Sequence, residues 1–578
     1  MKLSVYHAEH RCEPCRDMHA RVDSALQNFA SASGLDGSSF VEYIDIDANP
    51  ELAPEDLTVV PHLVCKGTNG TYLNSAGRVP TSVIEGLLVA SQKHNTYEEA
   101  AFVESSEEFS ADAPSGAPVF YRTYSRRNED GSRESYAQMV DRVITDIVDL
   151  GELSEGDDAL VRRMAEQQHT LPSGRWLWVG GTSWIRSNKN YSGAYNCTNT
   201  TVNSPEAFGL MMELAMMGSG TGAILEKDQI AKLPKVFRKI NISGVSELGT
   251  HHEVDRHDLT TFDWTEGSHG KCSTDLLIIV GDSRQGWCDA YQMLIDLAFS
   301  KGRTLNVYID LRYVRPAGSP LKGFGGTANP VKLVTLFEKV ASLLSNAKGR
   351  KLTAIECCLL IDEAAACVVA GNIRRSAGMR QFSSDDAEAA TAKLGLYSQD
   401  EEGNWRVDPV KENLRMANHT RCFHSKPTLQ EVTDAVTLQC QSGEGAIQYV
   451  PEAIARSNHD LLPDRETKNL FIDAYVQNGK AAGKNFLAAL APNADERELD
   501  HRMMRYGLNP CGEILGEDFH CNLSEVHLNT IDPEDHTAQQ DAFTAAALEV
   551  ASLLFHQFKD ERYSYSREID PIVGVSFT

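Results

Sequence analysis

Gly507-Leu-Asn-Pro-Cys-Gly-Glu-Ile514, followed shortly by His520-Cys-Asn-Leu523, is the most informative stretch of this chain. Asn509, Cys511 and Glu513 occupy alternate positions, which an extended loop would send to one side, so an amide, a thiol and a carboxylate come together. A carboxylate neighbour disfavours thiolate formation, because it makes the ionised sulfur one of two adjacent negative charges. The set therefore suits hydrogen-atom chemistry at Cys511, with Glu513 moving a proton. Cys521 places a further thiol nearby.

Outward from this stretch, helical and strand signals alternate. Tyr136, Val140, Val143, Ile144 and Ile147 share one helix face, with Gly151 as the expected stop. Ser204-Pro205 opens a helix through Leu210, Met211, Leu214 and Met217, whose methionines read as core packing. Gly218-Ser-Gly-Thr-Gly222 then follows a helix, whereas a phosphate loop needs strand, glycines and helix in that order. It reads as a turn into a strand at Ala223-Ile-Leu225. A helix from Leu352 to Val369 carries Cys357, Cys358 and Cys367 as core thiols. It ends in Gly371-Asn-Ile-Arg-Arg-Ser-Ala377, a tight loop presenting Arg374 and Arg375 together. Such a pair suits phosphate or base contacts, or is a plain surface charge pair. His419, Cys422 and His424 lack a fourth ligand and a recognisable spacing, so no metal site is expected there.

At the front, Lys2 to Tyr6 reads as a strand and Cys12-Glu-Pro-Cys15 begins a helix through Met18, Val22, Leu26 and Phe29. A second strand spans Phe40 to Asp47, and a third is interrupted by Pro61 within Val59 to Val64. A thiol at a helix N-terminus is stabilised as thiolate by the helix dipole, which makes Cys12 the attacking thiol and Cys15 the resolving one. Half of a zinc knuckle is the other reading of the CxxC, but no second ligand pair lies nearby. This segment resembles the glutaredoxin and thioredoxin family over residues 1–95. The resemblance implies a cis peptide at Val60-Pro61 beside the CxxC. Residues 96–116 turn to Glu, Ser, Ala, Asp, Pro and Gly, the composition of a flexible acidic tether.

The whole chain has 578 residues and a formal charge of −26. Such a balance argues against polynucleotide or anionic membrane partners, which need a positive face. No uncharged apolar run approaches the roughly 18 residues needed to span a bilayer. Thirteen cysteines in a long acidic chain do not resemble a secreted disulfide framework, and a cytoplasmic, reducing location is expected.

Taken in order, Pro172-Ser-Gly-Arg-Trp-Leu-Trp178, Gly193-Ala-Tyr-Asn-Cys197, Gly218 to Gly222, Lys322-Gly-Phe-Gly-Gly-Thr327, Gly371 to Ser376 and the Asn-x-Cys-x-Glu segment resemble ribonucleotide reductase over residues 117–578. The nearest likeness is to the monomeric, adenosylcobalamin-dependent ribonucleoside-triphosphate reductases. The resemblance implies an α/β chain, a thioredoxin-like domain followed by a ten-stranded α/β barrel with a finger loop at its centre. It implies a thiyl radical at Cys511 that removes the ribose 3′-hydrogen, Glu513 taking the 3′-hydroxyl proton and Asn509 bonding the substrate hydroxyls. Cys197 and Cys521 match the pair that reduces the 2′ position and ends as a disulfide. Arg374 and Arg375 fall in the loop between the deoxynucleotide effector and the substrate base. Adenosylcobalamin, a ribonucleoside triphosphate and a dNTP effector are the implied ligands.

Each turnover would leave one disulfide, and the Cys12/Cys15 module, fed by thioredoxin or glutathione, is the expected source of electrons. The family's pattern runs on beyond Val573-Gly-Val-Ser-Phe-Thr578, so the barrel is expected to lack its last strands and to need a separate C-terminal fragment. Two other readings compete: a nucleotide-binding subunit inactive alone, against which the complete Asn509, Cys511, Glu513, Cys197 and Cys521 set counts, and a disulfide reductase working only through its front module.

Overall fold

The computed structural model describes residues 2–7, 18–20, 22–27, 41–45, 62–67, 70–76, 109, 116–128, 130–187, 190–246, 257–264, 275–317, 319, 330–368, 377–401, 403–556 and 561–578. Cys12, Cys15, Val60, Pro61, Arg374, Arg375 and the 322–327 loop lie outside them, as does the expected tether apart from Phe109 and Gly116. The chain divides into two compact units, Met1–Pro114 and Ser115–Thr578.

The first unit contains a four-stranded sheet. Lys2–His7 pairs in parallel with Val41–Asp45 on one side and antiparallel with His62–Gly67 on the other, and Gly70–Ala76 closes the far edge, antiparallel. Parallel neighbours cannot be joined by a tight turn. The intervening chain includes helical residues 18–20 and 22–27, which bury Met18, Val22 and Ala25.

The second unit is organised around an eight-stranded sheet. Ala446–Tyr449, Ala417–Phe423, Gly378–Ser383, Gly220–Ile224 and Cys197–Thr201 run side by side and parallel. His520–Val526 then lies antiparallel to Cys197–Thr201 and parallel to Val573–Phe577, with the short Thr170–Pro172 also against it. The sheet thus joins two sets of opposite direction, and the junction falls between the strands that carry Cys197 and Cys521.

Helices fill the crossovers that parallel strands require. Glu206–Met216, Arg284–Phe299, Val331–Asn346 and Ala354–Val368 share one large apolar core, in which Met211, Cys357, Cys358 and Cys367 are buried as the sequence pattern predicts; Met212, off the expected face, is buried there too, and Leu210, on it, is only half-buried. Four further strands form a separate sheet in the order Ile240–Val245, Leu305–Asp310, Leu276–Ile279, Thr261–Trp264. A second core gathers the helices Val450–Ser457, Arg465–Asn478, Lys480–Leu490 and Glu496–Met504, which lead the chain to the Gly507 segment.

Two details differ from the sequence reading. Helix Tyr136–Gly151 is closed by Glu152 in the left-handed conformation, φ 48°, and not by Gly151, whose added Cβ would strike the Ser552 side chain at 2.1 Å. The strand expected at Ala223 begins at Gly220, so two of the glycines lie within the sheet.

Candidate active site

Gly507–Leu508 and Leu515–Gly516 pair antiparallel and make a short hairpin that carries Asn509 to Ile514 across one face of the eight-stranded sheet. The glycines of the neighbouring strand make room for it. A Cβ on Gly222 would lie 1.9 Å from the Leu508 carbonyl oxygen, and one on Gly220 would lie 2.8 Å from Pro510 Cγ and 3.3 Å from Cys197 Sγ. No side chain fits there, which is what the Gly218 to Gly222 run provides.

The hairpin tip is a turn and not the extended loop that the alternation suggested. The Gly512 amide donates to the Asn509 carbonyl at 3.0 Å, and Gly512 takes φ 75°, a conformation that favours glycine. The turn still gathers the three groups. Asn509, fully buried, donates from Nδ2 to Glu513 Oε1 at 2.6 Å and accepts the Ile514 amide at 3.1 Å. Cys511 and Glu513 are exposed at the tip.

The other two cysteines meet the hairpin from the sheet. Cys521 stands directly across from Cys197 on the antiparallel ladder. Residues so paired have Cα atoms about 4.5–5.5 Å apart, inside the window of about 4.4–6.8 Å that a disulfide spans. Cys197 Sγ, Cys511 Sγ and a Glu513 carboxylate oxygen lie within 4.8 Å of one another. Cys197 is therefore the middle sulfur, facing Cys521 on its own sheet and Cys511 on the hairpin.

These neighbours separate the three thiols electrostatically. The Cys521 thiol donates to Cys197 and, with help from Asn509, pulls it down to about 7 against the opposing effect of burial. The same hydrogen bond, together with burial, pushes Cys521 well above the ordinary thiol range. Partial desolvation at the tip and the Glu513 charge push Cys511 up, so it stays an S–H at neutral pH.

Arg175, from the Pro172-Ser-Gly-Arg-Trp segment, is buried and donates to the carbonyls of Gly193 at 3.2 Å, Met217 at 2.6 Å and Gly218 at 2.6 Å. It satisfies carbonyls at the end of helix Glu206–Met216 and fixes the approach to the glycine strand. Tyr195, two residues before Cys197, stacks on His520, one residue before Cys521, with ring centroids 4.3 Å apart. The Tyr195–His520 stack thus lies beside the cysteine pair on both strands of the ladder.

His419, Cys422 and His424 do not converge. His419 Nε2 is 3.7 Å from Cys358 Sγ, Cys422 Sγ is 3.6 Å from Gln448 Oε1, and His424 contacts the Tyr475 hydroxyl at 2.7 Å and Glu226 at 2.8 Å. The sequence reading missed Asn199, Gln381 and Gln448, whose amides hold the hairpin. In the structure Asn199 and Gln381 are buried, where polar groups require partners, and Gln448 is half-buried.

Comparison with known proteins extends this geometry. Residues 254–344 match the family described as B12-dependent ribonucleotide reductase, insertion domain. The adenosylcobalamin-dependent ribonucleoside-triphosphate reductase of Lacticaseibacillus paracasei is 26% identical over 509 residues, 80% of this chain and 61% of that protein. A putative adenosylcobalamin-dependent ribonucleoside-triphosphate reductase of Mycobacterium phage D29 is 31% identical over 439 residues, 72% of this chain and 55% of its own length. A crystal structure of a B12-dependent, class II ribonucleotide reductase superposes with a TM-score of 0.58 at 20% identity, covering 80% of this chain and 62% of that one. The chain spans little more than half the length of the relatives it matches. The α/β fold with its curled half-barrel sheet is similar to that of the class II enzyme, and the sequence is similar to those of adenosylcobalamin-dependent ribonucleoside-triphosphate reductases.

Proposed function

We propose that this chain carries the substrate-reducing site of a ribonucleoside-triphosphate reductase, an oxidoreductase that makes 2′-deoxyribonucleotides for DNA synthesis. The observation that carries the reading is the cluster of Cys511, Cys197 and Glu513 within 4.8 Å, with Cys521 across the ladder from Cys197. Cys511 is the exposed thiol of the three and is held protonated, as a hydrogen-atom donor must be. That fits adenosylcobalamin, which when bound supplies the one-electron chemistry that the side chains lack.

In this reading Cys511 gives up its hydrogen atom and takes the 3′-hydrogen of the ribose. Glu513, oriented by Asn509, accepts the 3′-hydroxyl proton. Cys197 and Cys521 then supply two electrons and two protons: the 2′ C–O bond breaks, water leaves, hydrogen takes its place, and a disulfide forms. Cys511 then returns the hydrogen atom to C3′, Glu513 returns the proton to the 3′-oxygen, and the Cys511 thiol is restored at the end. Arg374 and Arg375 are assigned to the loop between the dNTP effector and the substrate base.

The strand order and directions of the first unit support a glutaredoxin-like module, whose Cys12 and Cys15 would reduce the Cys197–Cys521 disulfide with electrons from thioredoxin or glutathione. At the far edge of the large sheet, Val573–Phe577 has no further strand against it among the described residues, and Phe577 is 64% exposed. That edge suits pairing with a further strand.

The test is single-turnover reduction. The pre-reduced chain, alone and with the C-terminal part of a relative added, is given CTP or ATP with adenosylcobalamin and no external reductant. The expected product is deoxynucleotide in an amount set by the reduced cysteine pairs, with new disulfide mapped by mass spectrometry to Cys197–Cys521 or, where the front module has reduced that pair, to Cys12–Cys15. Absence of deoxynucleotide in both arms overturns the proposal.

A further inference from the structure

The hairpin bearing Cys511 is not part of the sheet it lies on, so its backbone polar groups cannot be satisfied by the sheet's own ladder. Its stem has only two residue pairs, Gly507 with Gly516 and Leu508 with Leu515. The stem residues Tyr506, Gly507 and Leu508 are buried, where an unpaired peptide group is costly. Side-chain amides of three strands fill the gap.

Gln381 makes the central contacts. Its Oε1 accepts the Leu508 amide at 2.7 Å, and its Nε2 donates to the Tyr506 carbonyl at 3.0 Å and to Gln448 Oε1 at 2.7 Å. Gln448 Nε2 donates to the same Tyr506 carbonyl at 2.8 Å. On the other side, Asn199 Nδ2 donates to the Leu508 carbonyl at 3.0 Å. The orientation of the Gln381 amide is fixed by this set, since flipping it would set N–H against N–H at Leu508 and oxygen against oxygen at Tyr506. One side chain thus imitates a strand neighbour, offering an acceptor to one residue and a donor to the residue two before it.

We propose that Gln381 is a positioning residue for Cys511: its carboxamide sets where the hairpin root sits on the sheet and so where the radical thiol stands relative to Cys197. The inference rests on Cys511 being the hydrogen-atom donor. No shorter or differently charged side chain does the same. Asparagine lacks one methylene of reach, glutamate cannot donate to Tyr506, and leucine leaves the buried Leu508 amide without an acceptor. Leu508 is three residues from Cys511, so a displaced root displaces the tip, and a misplacement of about 1 Å can cost roughly 100-fold in rate.

The test compares wild type, Gln381→Leu and Gln381→Glu in the cobalamin-loaded protein. Amide hydrogen exchange resolved to Leu508 reports the clamp directly, and steady-state kinetics report its consequence. Gln381→Leu is expected to speed exchange at Leu508 by about tenfold or more and to lower kcat roughly 100-fold with KM for the nucleotide unchanged. Gln381→Glu keeps the acceptor, so exchange at Leu508 stays near wild type and kcat recovers in part; being nearly isosteric, it also serves if the leucine variant does not fold. Unchanged exchange and kcat in a folded Gln381→Leu protein overturn the proposal, as does a rise in KM matching the fall in kcat. If wild type itself forms no deoxynucleotide, the reductase reading fails by its own assay, and exchange at Leu508 still decides whether the clamp exists.

Discussion

Two groups of cysteines in the second unit have the same chemistry in their side chains and opposite fates. Cys357, Cys358 and Cys367 sit on helix Ala354–Val368, fully inside the largest core, where burial pushes each thiol well above its ordinary range. Cys197, Cys511 and Cys521 sit where two sets of strands meet under a hairpin, and each is tuned by a named neighbour rather than by burial alone. A helix buried on nearly every face is a core element, and its deeply buried thiols are held protonated. A junction of antiparallel strands instead sets two sulfurs face to face, and glycines in the next strand admit a third.

The sharpest way to break this contrast is to exchange the reactive sulfur for oxygen. Cys511→Ser keeps the size and hydrogen-bonding of the tip but replaces a weak S–H bond by a strong O–H bond, so hydrogen-atom transfer stops. Deoxynucleotide formation is expected to fall by about 10⁴-fold or more, with far-UV circular dichroism unchanged. Cys367→Ser, buried in the core, is expected to show the reverse pattern, a loss of stability with the site's chemistry preserved in whatever fraction folds.

The core helix has its own polar requirement. Asp362, fully buried, receives Arg380 Nη2 at 2.8 Å and Nε at 3.2 Å and is also touched by the Cys358 thiol at 3.2 Å. Arg380 also donates to the Thr221 carbonyl at 2.6 Å, on the glycine strand. This pair ties the helix to the sheet that carries the cysteine cluster. Removing one partner leaves an uncompensated buried charge, and Asp362→Ala is expected to cost about 3–5 kcal/mol in urea unfolding. A loss below about 1 kcal/mol would show that the arginine finds water, and that this core is wetter than its packing implies.

How much of this was readable in advance follows from where each signal comes from. The convergence of Asn509, Cys511 and Glu513 was legible from residue type and spacing, although it comes through a turn at Gly512 and not through strand alternation. Helix faces such as Tyr136 to Ile147 were legible because burial follows a 3.6-residue period. The glycine run at Gly218 was read as a turn, since sequence shows where a side chain is missing but not what approaches the space. The amides at Asn199, Gln381 and Gln448 were missed for a related reason. Their partners are backbone groups of Tyr506 and Leu508, far away in sequence, and a backbone group leaves no trace in composition.

The finest test of the comparison is between two thiols within the site. Accessibility alone predicts that Cys511, exposed at the hairpin tip, reacts with iodoacetamide before the half-buried Cys197. Electrostatics predicts the opposite order in pH. The thiolate is the reactive form, Cys197 is pulled down to about 7 by the Cys521 thiol, and Cys511 is pushed up by partial desolvation and by Glu513. Mapping alkylation site by site against pH should therefore give a midpoint near 7 for Cys197 and one above the ordinary range for Cys511. In Cys521→Ala the donated hydrogen bond is gone while burial and Glu513 still oppose ionisation, so the Cys197 midpoint should rise by one unit or more, about tenfold less thiolate at pH 7. A Cys197 midpoint that does not move in that variant would mean that the ladder pairing, although it sets the two sulfurs opposite each other, leaves them electrostatically independent, and the contrast with the core cysteines would then rest on exposure alone.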